Sequence, residues 1–153
     1  MLEKVIDFSR KNVFHLILVV LAINLVLRYH TLFNDYYDVD FQSQMVATIF
    51  EMETGNKLMQ SYGPTYQAIM YVIQKNLGKY NWLAFHILAF SILLITAISL
   101  YYTVSFVKNK NAGVYSALFF AFFMNCMTKD FYSFSAEMVF NVFISLSLCG
   151  FVW

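Results

Sequence analysis

The residues best suited to chemistry are carboxylates in two polar stretches of an otherwise apolar chain. One stretch begins Asn34-Asp35-Tyr36-Tyr37 and runs into Asp38-Val39-Asp40; the other is Ser135-Ala136-Glu137-Met138. Carboxylates two residues apart lie about 200° apart on a helix, and on a strand they share a face but stand roughly 6.6 Å apart, so Asp38 and Asp40 converge closely only where the backbone bends. Converged, they can take a proton from a substrate hydroxyl or hold a divalent cation through oxygen ligands. The plainer reading makes Asp40, or Asp38, the N-cap of the helix that follows. It makes Glu137 a solvated residue at a helix rim. A carboxylate at the edge of hydrocarbon is partly desolvated, however, and desolvation makes it a better proton acceptor. Between these stretches lies Tyr62-Gly63-Pro64-Thr65-Tyr66, which combines turn residues with aromatic ones. No two of His15, His30 and His86 stand four apart, and Cys126 and Cys149 fall inside apolar runs as free thiols. Neither set has metal-ligand spacing, and nothing in the sequence requires a cofactor.

The elements that must position these residues read as membrane helices. Of 153 residues, 60% are hydrophobic, 20% aromatic and 12% charged, whereas soluble domains carry about a quarter charged residues. The expected class is an all-α integral membrane protein with about four transmembrane helices. With a net charge of +1 and no basic patch, nucleic acid is excluded as a partner. The first span is expected over 12–31, after a short polar segment. It is uncleaved, since Arg28-Tyr29-His30-Thr31 offers no small-residue cleavage site. About 20 residues cross the ~30 Å hydrocarbon core, and Arg28 is expected to snorkel to the far interface. A large polar loop follows over 32–80. Within it, Phe41, Met45, Ile49 and Met52 recur at helical spacing, widened by Val46 and Phe50, which predicts an amphipathic helix near 40–54. It is too polar to span and should lie along the membrane surface or against other helices. A second amphipathic helix is expected near 64–77, opened by Pro64, carried by Tyr66, Ile69, Met70, Ile73 and Leu77, and stopped by Gly78. A second span over 81–107 contains no charged residue between Trp82 and Val107, with Trp82 and Tyr101-Tyr102 as interfacial anchors. A basic turn over 108–113, a third span over 114–128, a short loop over 129–136 and a fourth span over 137–153 complete the chain.

Orientation follows from the basic residues near the span ends. Lys4, Arg10 and Lys11 before the first span, with Lys108 and Lys110 in the turn, mark the cytoplasmic side. Asp35, Asp38, Asp40, Glu51, Glu53, Asp130 and Glu137 then stand on the external, periplasmic or luminal side.

This layout resembles the GT-C superfamily of integral-membrane glycosyltransferases, which use polyprenyl-phosphate-linked sugars as donors. The likeness is closest to the clan holding protein O-mannosyltransferases and enzymes that glycosylate lipid A. It rests on the order Asp38-Val39-Asp40-Phe41, Gly55, Tyr62-Gly63-Pro64-Thr65-Tyr66, Leu77-Gly78 and Ser135-Ala136-Glu137-Met138. The resemblance implies that Asp40 is the base deprotonating an acceptor hydroxyl, with Asp38 supporting it. Asp38 and Asp40 would also be the ligands of any divalent metal. It assigns Glu137 to shaping the site, and Tyr62, Pro64 and Tyr66 to its substrate-binding wall. Such enzymes carry further spans, so the resemblance also implies the N-terminal part of a longer transferase, with the missing part or a further membrane subunit as partner. The chain departs from the family in having Phe41 after Asp40, where many members carry Glu, and a single Pro64 where paired prolines are usual. The rival reading is a small four-span structural or assembly protein whose acidic loop binds a partner. A transporter fits less well, since only Asn24 and Asn125 are strongly polar within spans.

Overall fold

The computed structural model describes residues 2–32, 39–55, 64–126 and 135–152. Among these the chain is all-helical, in the order α1 (Leu2–Lys11), α2 (Val13–Leu32), α3 (Val39–Thr54), α4 (Pro64–Leu77), α5 (Trp82–Val107), α6 (Lys110–Cys126) and α7 (Ala136–Val152). By length and apolarity, the expected set of four spans reduces to one qualifying helix among the described residues. That helix is α5, whereas Val13–Tyr29 and Ala136–Val152 are shorter apolar stretches.

The helix ends follow local chemistry. The Asn12 carboxamide oxygen accepts the backbone N–H of His15 (2.9 Å) and so starts α2. Asn81 caps α5 through the N–H of Ala84 (3.1 Å), and Ser135 caps α7 through Met138 (3.3 Å). Gly55 and Gly78 sit at φ +70° and +109°, the left-handed conformation that stops α3 and α4 without a Cβ penalty.

The long α5 is the spine. At one end, Ala97 and Tyr101 pack with Leu16 and Val20 of α2 and with Val114, Ala117 and Ala121 of α6. At the other, Phe85, Ala89, Ile92 and Leu93 meet α3, α4 and α7 in a second cluster. The two loop helices therefore close over one end of the bundle.

Several boundaries and faces differ from the sequence reading. Residues 2–11 form a helix of their own rather than a polar lead-in. The turn expected over 108–113 is only Lys108-Asn109, because the Asn109 side chain accepts from Ala112 N (2.9 Å) and starts α6 early. Tyr101 is no interfacial anchor: it is buried, edge-on to Tyr102. The buried face of α3 is Phe41, Gln44, Met45, Thr48 and Ile49, whereas Val46 and Phe50 are exposed. On α4, Gln74 is buried and Leu77 exposed. Gln74 explains both shifts, since its Nε2 donates to the Met45 carbonyl across the α3–α4 contact (3.1 Å). The half-buried Cys149 is a free thiol.

Gly113 sets the α5–α6 distance. A Cβ there would stand 2.6 Å from the Tyr101 carbonyl oxygen and closer still to Ser105 Oγ. Overpacking a tight contact costs about 1–3 kcal/mol, so Gly113→Ala should lower the thermal unfolding temperature of the purified protein. Adding Ser105→Gly should restore only part of it, because the Tyr101 backbone remains.

Candidate functional site

The candidate site lies at the end of the bundle covered by α3 and α4. Three segments that carry the sequence motifs meet there on one apolar floor. Phe41, next to Asp40, packs edge-on against Phe85 of α5 at 5.0 Å between ring centroids. Tyr66, two residues into α4 from Pro64, is buried in the same cluster, as is Met138, the neighbour of Glu137. Thr65 and Tyr66 together with Ala136, Val139, Phe140 and Phe143 enclose a groove of about 300 Å³ between the starts of α4 and α7. The Tyr66 and Ser135–Met138 motifs are therefore adjacent in space although far apart in sequence.

The individual candidates stand as follows. Asp40 lies inside the first turn of α3, which begins at Val39, so the N-cap reading of Asp40 is set aside. Pro64 opens α4 as its first residue. Asp38 and Tyr62 lie outside the described residues. Tyr66 is buried and lines the groove. Glu137 is exposed in the first turn of α7 and is not among the lining residues. Among the described residues, no group of three or more His, Cys, Asp or Glu converges as a metal site.

The same end holds a polar cluster that the motifs do not include. Arg28 does not snorkel; it is 2% exposed, and its Nε donates to Asn125 Oδ1 (2.5 Å). The Asn125 amide donates in turn to Asn24 Oδ1 (2.5 Å) and to the carbonyl of Ala121 (2.5 Å). Asn24 and Arg28 are four apart and so share one face of α2, the face that meets α6. Buried polar groups need partners, and a charge in an apolar interior needs them most. This explains why the outward route to solvent is not taken. Asn24 Nδ2 is buried with no hydrogen-bond partner among the described residues.

Beside this cluster runs an apolar groove of about 410 Å³, lined by Val19, Ala22, Ile23, Val26, Leu27 and Phe122. It shares its two helices with Asn24, Arg28 and Asn125. Its lining is apolar throughout, which suits a hydrocarbon tail, and the three polar residues are buried rather than part of that lining.

The sequence carried a usable signal for this cluster. Asn24 and Asn125 stand out as the polar residues within apolar runs, and Arg28 follows Asn24 at helical spacing. No protein-family model matches the chain, and no curated protein or solved structure matches it either.

Asn125 joins the cluster in both directions, as acceptor for Arg28 and donor to Asn24. Leaving a buried donor unsatisfied costs about 1–3 kcal/mol, more when it is charged. Asn125→Ala should therefore lower stability by at least that amount in thermal or denaturant unfolding. Asn109→Ala, which removes an exposed cap, should cost only about 1 kcal/mol.

Proposed function

We propose that the chain is the N-terminal part of an integral membrane glycosyltransferase that moves a sugar from a polyprenyl-phosphate donor to an acceptor hydroxyl on the non-cytoplasmic side. In this reading α2, α5, α6 and α7 are its four membrane-crossing helices, with the N-terminus cytoplasmic. The observation that carries it is the convergence of the Asp40, Tyr66 and Glu137 segments on one apolar floor, beside a groove between α4 and α7. The order of motifs resembles the GT-C enzymes, and Phe41, Tyr66 and Met138 from three of them share one apolar cluster.

Further support comes from the α2–α6 slot. Its apolar lining suits a polyprenyl tail. The reaction is then a displacement at the anomeric carbon. The acceptor oxygen forms the new glycosidic bond, the sugar–phosphate bond breaks, and the lipid phosphate leaves with the electron pair. Asp40 takes the acceptor proton, with Asp38 supporting it. Glu137, on the first turn of α7, borders the acceptor side, and Pro64 and Tyr66 form the wall with Tyr62. A divalent metal, if used, would sit on Asp38 and Asp40.

A second reading, a structural or assembly subunit, draws on the exposed apolar face of α7, where Phe140, Phe143, Ile144, Leu148 and Phe151 are available to a partner helix.

General-base help is worth about 10²–10⁴-fold. In the full-length protein, Asp40→Asn should reduce transfer from a labelled polyprenyl-phosphate sugar by that factor while membrane insertion is unchanged. Undiminished transfer in an inserted Asp40→Asn protein would overturn the assignment.

A further inference from the structure

We infer that the lysine-bearing end of the bundle, α1 together with the α5–α6 turn, docks on an anionic phospholipid surface, with α1 lying in the plane of the membrane. The inference rests on the membrane-spanning reading above but concerns the opposite end from the candidate site.

The chain bends where α1 meets α2. The Phe8 ring stands edge-on to His15 at 4.4 Å between centroids, and His15 Nδ1 is hydrogen-bonded to Asn12 Oδ1 (2.5 Å). In an unbroken helix, residues seven apart are separated by about 10.5 Å along the axis, and side chains lean toward the N-terminus. A Phe8–His15 contact this close therefore requires the axis to turn at Asn12. Having turned, α1 packs against α6 as well as α2. That brings Lys4 and Lys11 to the end of the bundle that holds Lys108 and Lys110, at the α5–α6 turn.

All four lysines are exposed, and none has an ion-pair partner among the described residues. The acids facing the same end are Glu3 and Asp7, and Asp7 is already engaged in an interaction. The other end differs. There Lys79 is paired with Glu53 (2.5 Å), Lys75 lies 5.5 Å from the Tyr71 ring centroid, and Arg28 is sealed in its amide cluster. Among the described residues, uncompensated positive charge is thus concentrated at one end.

Its position selects the partner. Lys108 follows directly on the 26 residues of α5, none of them Asp, Glu, Lys or Arg, so it stands where a crossing helix leaves hydrocarbon for headgroups. A strongly amphipathic α1 beside it has the pattern of a helix that lies at that boundary. Lysines at this depth are attracted to anionic lipid, an attraction weakened by salt.

The test uses the full-length protein in nanodiscs of phosphatidylcholine, with or without phosphatidylglycerol, and reads amide hydrogen exchange across Leu2–Lys11. Exchange should slow roughly tenfold or more when the anionic lipid is present. High salt should reverse the effect, and so should Lys4→Glu/Lys11→Glu. Lys108→Glu/Lys110→Glu, which leaves α1 untouched, should weaken it in part. Equal exchange in the two bilayers, with the protein retained after carbonate washing, would overturn this inference alone. Loss of the protein from both bilayers on washing would overturn the membrane-spanning reading and this inference with it.

Discussion

Arg28 lies almost wholly out of water, and that placement constrains how α2 and α6 meet. A guanidinium in such surroundings is tolerated only with hydrogen-bond partners held in fixed geometry. Asn125 supplies one, and Asn24, one helical turn before Arg28, completes the chain of amides. Because all three residues are rigidly placed on their helices, the register of α2 against α6 follows from them. Apolar packing alone is less selective, since neighbouring apolar turns are nearly interchangeable. In lipid, where helix association has little hydrophobic driving force, packing and interhelical hydrogen bonds carry that role. Gly113 is the counterpart at the other end, where absence of a side chain lets α6 approach the α5 backbone.

With that register set, the last turns of α2 and α6 and the first turns of α5 and α7 lie at one side of the bundle. The loop helices α3 and α4 then cover a floor that the bundle has already formed. Phe41 and Tyr66 anchor them through ring and side-chain packing, and Gln74 ties the two together by a bond to the α3 backbone. Two grooves result, one between α4 and α7 and one between α2 and α6. A site for a molecule with a polar head and a long apolar tail needs both a polar-fringed mouth and a hydrocarbon-lined slot.

Much of the element layout was legible in the sequence because punctuation and periodicity agreed. Pro64 and Gly78 bracket α4, and a long run without a charged residue marks α5. Where the two disagree, the helix face or boundary lies elsewhere. Gln44, Thr48 and Gln74 are polar yet buried, so a hydrophobic stripe drawn from apolar residues alone was rotated away from the true face of α3 and α4. Gly113 suggested a turn, whereas Asn109 had already started the helix and glycine served packing. Arg28 near a span end suggested snorkelling, since its partner on α6 is distant in sequence and only tertiary structure brings the two together. The candidate site was legible as separate motifs; their meeting on a shared floor depends on antiparallel helix packing, which spacing does not encode.

The central claim is that one end of this bundle receives a lipid-linked sugar. It is tested most directly by irradiating the full-length protein with a photoreactive polyprenyl-phosphate sugar and mapping the attachment sites by mass spectrometry. The account predicts attachment on the starts of α4 and α7, at Tyr66 and Val139 to Phe143, and along the α2–α6 slot. It further predicts that excess unlabelled donor removes this attachment. Attachment confined to α1 and the Lys108–Lys110 end, or attachment that unlabelled donor does not displace, would contradict it.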